Sequence, residues 1–174
     1  MDDFLSRVMA EQDVFKKLAA NVPGFSGYVE RQNRRAADKL LREAVARRFE
    51  DLWKRLSSLQ VELVQGGQIE LLDEIERAAL QLRTFTDRIK TAAYGYSGVF
   101  DAVKIDAADL DRLYRFDLAF FELANEIEQT IQNLSSALLE PATTPQQIRR
   151  LIELSAQANQ IFDHRQEVLS GVSS

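Results

Sequence analysis

The sequence has no cysteine, which removes disulfides, thiolate zinc sites, iron–sulfur clusters and cysteine nucleophiles from consideration. Its one histidine, His164, rules out most histidine-bridged metal and catalytic sites unless a partner chain contributes. Three prolines and seven glycines among 174 residues leave few places where a helix must stop. No apolar run approaches the roughly 18 residues of a membrane span. The acidic opening, MDDFLSRVMAEQD, lacks the basic-then-apolar order of a secretory signal. The expected compartment is therefore reducing cytoplasm. A net charge of -5 argues against non-specific nucleic-acid binding by the whole surface.

What is present is the material of a single soluble helical domain, with 45% hydrophobic and 28% charged residues. Phe4, Val8, Phe15, Leu18 and Val22 line one face of a first helix, about 3–22, with Asp2 and Asp3 as caps. Its acidic and basic residues are mixed, so the face is expected to pack into the bundle rather than lie on a membrane. Pro23-Gly24-Phe25-Ser26-Gly27-Tyr28 breaks the chain. A long helix, about 29–64, carries Leu41, Val45, Phe49, Leu52, Leu56, Leu59 and Leu63 at steps of three and four, the mark of a seam between long helices.

Gly66-Gly67 makes a hairpin turn into a third helix, about 69–93, striped by Leu72, Ile75, Ala79, Leu82, Phe85 and Ile89. The loop from Tyr94 through Tyr96 to Val99 echoes the first glycine-aromatic loop, and helix lengths place both at the end opposite Gly66-Gly67. A fourth helix, about 106–139, has Asp106 as N-cap and Asp109 in capping-box position. Its stripe runs Leu110, Leu113, Asp117, Phe120, Ala124, Ile127, Ile131, Leu134 and Leu138, broken only by Asp117. Thr144-Pro145-Gln146-Gln147 starts a fifth helix, about 145–169, with Thr144 as N-cap and a face of Ile148, Leu151, Ile152, Ala158, Ile161, Phe162 and Leu169. Residues 170–174 are expected to be a disordered tail. The predicted fold is all-α: an elongated five-helix bundle built on a long antiparallel coiled-coil hairpin.

Function-bearing chemistry is sparse. Asp117 has Leu113, Tyr114, Phe120 and Phe121 as its helical neighbours, so no local base can pair with it. A 100°-per-residue wheel puts it at the flank of its stripe, where a boundary aspartate reaching solvent and a structured ion pair are both open readings. A catalytic role lacks a second acid, base or nucleophile placed by sequence. The segment Val29–Val64 holds nine basic against six acidic residues, and Val99–Glu140 holds nine acidic against three basic. The row Arg31, Arg34, Arg35 and Arg42, with Asp38 able to pair at four-residue spacing with Arg34 and Arg42, turns the seam polar toward the glycine-loop end. Either Asp117 or the pair Asp109 and Asp111 is expected to meet this arginine row. Tyr94 and Tyr96 complete the candidate polar end-cap.

The ferritin-like di-iron bundle needs paired Glu-x-x-His motifs, which the chain lacks, and no metal or cofactor is expected. Gly24-Phe25-Ser26-Gly27 before an arginine-rich helix is a weak match to a phosphate cradle. Asp163-His164 reads as a surface pair, and Trp53 with the phenylalanines reads as core.

The glycine-aromatic loops, the run R-x-A-A-D-K-L-L-R at Arg34–Arg42 and the run V-K-I-D-x-x-x-L-D-x-L-Y-x-F-D at Val103–Asp117 resemble an uncharacterised bacterial all-helical family with no assigned activity. The resemblance spans Pro23–Phe121, implies an all-helical fold and transfers no functional residue. Sixteen arginines against six lysines are compatible with a GC-rich bacterial source. The expected function is a non-enzymatic interaction or scaffolding module that binds protein partners and associates with itself through its long seams. The alternative is an anion-binding module taking phosphate, nucleotide or nucleic acid on the Arg31–Arg42 row.

Overall fold

A computed structural model of the chain describes residues 13–30, 34–95, 106–137 and 143–170, which are helical apart from short turns. Helix α1 covers 13–21 among these residues, so the caps expected at Asp2 and Asp3 lie outside them. It is followed by α2 (Phe25–Glu30), α3 (Arg34–Gln65), a 3-10 turn (Ile69–Leu71), α4 (Leu72–Gly95), α5 (Ala107–Ala137) and α6 (Thr144–Ser170). No described helix is long and apolar enough to cross a membrane.

The glycine pair after α3 ends that helix by a Schellman motif. Gln68 N–H donates to Leu63 O at 2.9 Å and Gly67 N–H to Val64 O at 3.1 Å, which satisfies carbonyls the helix would otherwise leave open. Gly67 takes φ +75°, a left-handed conformation that side-chain-bearing residues adopt at a cost. At the start of α5, Asp106 Oδ1 accepts the Asp109 N–H at 2.8 Å, as the N-cap reading requires. The other connection differs from expectation by one residue. Thr143 O accepts the Gln147 N–H, placing the cap there, while the buried Thr144 hydroxyl donates to Ala137 O at 3.0 Å and ties α6 to the end of α5.

Two further boundaries are corrected. Phe25–Glu30 is a short helix rather than an open loop, with Gly24 at φ +87° making the turn and Phe25 fully buried. Burial explains it: Phe25 meets Phe15 at 5.5 Å and Tyr114 at 5.4 Å, so local helix lets one aromatic bridge α1 and α5. Similarly, Tyr94 and Gly95 finish α4 instead of opening the next loop. The remainder of that loop, 96–105, lies outside the described residues, as do the rest of the expected tail, 171–174, and residues 138–142, which include the last two residues expected in the fourth helix; Ser170 is still helical.

The four long helices form a ring in which α3 neighbours α4 and α5, and α6 neighbours α4 and α5. At 32 residues α3 is about 48 Å long. Contacts fix the directions. Gln81 and Arg88 of α4 meet Asn159 and Asp163 of α6 in rising order, so those two helices run parallel. Arg48 of α3 meets Glu128 of α5 further along than the level of Asp38 and Asp117, so these two also run parallel. The two hairpins therefore lie side by side, with α3 and α6 on one diagonal.

The seam residues of α3, Leu41, Val45, Phe49, Leu52, Leu56, Leu59 and Leu63, are buried among the chain's own helices. The surface expected to carry self-association is thus filled within one chain. At its centre Phe85 of α4 touches one ring from each other long helix: Phe49 at 4.4 Å, Phe120 at 5.0 Å and Phe162 at 6.3 Å. Trp53, read as core, is only partly buried and lies 5.9 Å beneath the Arg83 guanidinium.

Candidate functional site

Below the phenylalanine layer, toward the end where α3 and α5 begin, the interior turns polar. Arg165 of α6 is 0% exposed and Asp117 of α5 is 1% exposed. Arg165 Nε donates to Asp117 Oδ1 at 2.9 Å, and its Nη2 lies 3.4 Å from Asp117 Oδ2. The same Nη2 donates to Asp38 Oδ1 on α3 at 2.6 Å, across the diagonal of the bundle. The second oxygen of Asp38 accepts from Arg42 Nε at 2.6 Å, and both of these residues are buried. Two carboxylates and two guanidiniums, formally neutral in sum, make one chain of bonds: Asp117, Arg165, Asp38, Arg42.

The helices deliver these groups by the same spacing that makes the core. On α6 the buried face reads Leu151, Ser155, Ala158, Phe162, Arg165, Leu169, in steps of four and three. On α5 Asp117 follows Leu113 by four and precedes Phe120 by three; on α3 Asp38 precedes Leu41 by three. Each polar residue occupies a seam position of its helix. Farther out, Leu113, Val168 and Leu169 form a second apolar cluster, with Ala92 and Phe116 against it. The polar layer is sandwiched between this cluster and the main core.

Burial governs the electrostatics. Loss of water raises the Asp117 carboxyl above the ordinary aspartate value; the Arg165 charge opposes that and the Asp38 charge adds to it. Burial alone would drive the Arg165 guanidinium toward losing its proton, but Asp117 and Asp38 override it and hold its pKa above the ordinary arginine value. An arginine fork suits this task because its N–H groups are fixed in a plane and can serve two carboxylates at once. With both residues sealed from solvent, the arrangement cannot receive a substrate in this conformation. Its chemistry is that of a latch joining α3, α5 and α6.

Of the residues expected at the polar end, the structure brings together Asp38, Arg42 and Asp117. It does so through a partner the sequence reading missed. Asp117 pairs with Arg165 rather than directly with the Arg31–Arg42 row, and it is fully buried rather than at a solvent boundary. Asp111 is held locally by Arg115 Nε at 2.8 Å, and Asp109 donates its backbone N–H at the cap; the side chains of residues 31, 34 and 35, which either was expected to meet, lie outside the described set. Arg34, Arg35 and Tyr94 are helical but their side chains lie outside the described set, and Arg31 and Tyr96 lie outside the described residues.

The acidic α5 and the basic α3 do meet, but higher up. Glu128 accepts from Arg48 Nη2 at 2.5 Å and from Arg55, and these contacts hold its carboxyl below the ordinary glutamate value, the Arg48 hydrogen bond being the largest cause. His164 is exposed, and Asp163 beside it is bound by Arg88 of α4. Among the described residues no group of three or more histidine, aspartate or glutamate side chains is gathered as a metal site. The chain matches no protein-family model, no curated protein and no solved structure.

Proposed function

We propose that the chain is a non-enzymatic helical interaction module of the cytoplasm that works through protein–protein contacts and associates with itself. One observation supports the protein–protein contacts: the buried ionisable groups pair with each other inside the bundle, with Arg165 Nη1 left without a hydrogen bond among the described residues, whereas large apolar side chains remain outside it. Val61, Val64 and Ile69 are 57%, 53% and 64% exposed at the tip of the first hairpin. Burying such surface against a partner is favourable at about 25 cal/mol per Å².

The alternative, an anion-binding module on the Arg31–Arg42 row, is weakened because Arg42 is buried on Asp38 and so is withdrawn from any surface ligand. Sedimentation equilibrium at micromolar concentration, at low and high salt, tests the proposal. Mass above that of one chain, retained at high salt, is expected of an apolar interface. A monomer throughout contradicts the self-association. An anion site instead shows phosphate or nucleic-acid binding that falls steeply as salt rises.

A further inference from the structure

The first hairpin ends in a surface of unusual charge. Between residues 56 and 76 the sequence has five carboxylates and no lysine or arginine. All five, Glu62, Glu70, Asp73, Glu74 and Glu76, are exposed. Helix dipoles account for some of them. Asp73 and Glu74 stand in the first turn of α4, where the positive end of the helix favours negative charge, and Glu70 lies just ahead.

Glu62 has no such explanation. It sits in the last turn of α3, at the negative end of that dipole, and this turn carries no basic residue. The ion pairs found elsewhere on the surface, such as Lys90 with Glu50 at 2.8 Å, do not extend to these carboxylates among the described residues. The same short segment displays Val61, Val64 and Ile69, each more than half exposed. A few exposed apolar residues are ordinary on any protein, but three large ones within nine residues, set among carboxylates, are not scattered singly. Leu80, also exposed, lies farther along α4.

We infer that the tip of the α3–α4 hairpin is a docking surface for a basic amphipathic segment of a partner protein, one that sets apolar side chains on Val61, Val64 and Ile69 and lysines or arginines against the surrounding carboxylates. This names the partner class for the protein–protein reading above and rests on it. The apolar residues supply the holding contact, and the carboxylates steer and select a cationic partner.

The test uses the full chain and a labelled model helix with leucine at positions i, i+3, i+4 and i+7 and lysine elsewhere, alongside a copy with every lysine changed to glutamate. Saturable binding of the lysine peptide and none of the glutamate peptide is expected. The variant V61S/V64S/I69S is expected to weaken it on the order of tenfold. E70Q/D73N/E74Q is expected to slow association at low salt and to converge on the parent at high salt. All six positions are solvent-facing, so both variants keep the bundle core. Equal binding of the two peptides, or unchanged affinity in the first variant, overturns the inference. So does a self-associated form that V61S/V64S/I69S dissociates, since the occupant is then a second copy. In each of these outcomes self-association measured by sedimentation can stand, which leaves the broader reading intact.

Discussion

Arg165 keeps its charge in the interior because two carboxylates from different helices meet it there. Removing one member of such a group is far more costly than never having had it, since the remaining charge is stranded out of water. Arg165→Lys tests the need for the fork: a lysine has one nitrogen where two directed donors are used, and about 3 kcal/mol of stability is expected to be lost in urea unfolding. Asp117 gives a pH signature. Its carboxyl is raised in the folded state, so its contribution to stability is full below the unfolded-state pKa and is lost as pH rises through the folded one. The stability difference between parent and Asp117→Asn should therefore shrink with rising pH across the acidic range above the ordinary aspartate value. A difference that grows instead would mean the Asp117 charge is net favoured by folding.

Elements were legible in the sequence to the extent that their spacing was regular. The seams of α3, α4 and α5 show steps of three and four, and most of their residues are buried as those steps imply; Leu72 and Leu110, at the helix starts, are only partly buried, and Leu138 lies outside the described residues. Asp117 was misplaced by the same arithmetic. A wheel at 100° per residue lets a stripe repeating every seven residues drift by about 20° per repeat, yet Leu113, Phe120, Ile127 and Leu134 of that stripe are all buried. Asp117 therefore stays in line. Arg165 left a trace in the gap between Phe162 and Leu169, seven residues on one face with an arginine where an apolar residue would continue the steps. Without its partners on α3 and α5, which are 127 and 48 positions away, nothing local distinguished it from a surface arginine.

Two further expectations belong to the elements. Gly67→Ala meets no atom within 4 Å, so its cost is conformational alone, about 1 kcal/mol from the left-handed φ, readable as a lower unfolding midpoint. Glu128 has a depressed carboxyl, so the support it gives the α3–α5 contact is present above the ordinary glutamate value and fades as pH falls through the folded one. Glu128→Gln should remove that acid-dependent part, a few tenths of a kcal/mol at this partly exposed site.

At the scale of the whole molecule the two ends differ. One end holds the aspartate–arginine latch between two apolar layers, and the opposite end exposes valine, isoleucine and carboxylate at the hairpin tip. The buried aspartate–arginine group is a lock that joins α3, α5 and α6. Replacing all four members with apolar residues of similar size should restore most of the stability that one deletion removes, because no charge is then left stranded. Urea unfolding of Arg165→Met is the most direct measurement of the lock. A loss of about 3 to 5 kcal/mol against the parent is the expected result. A loss below about 1 kcal/mol, the size of an exposed pair, would contradict it.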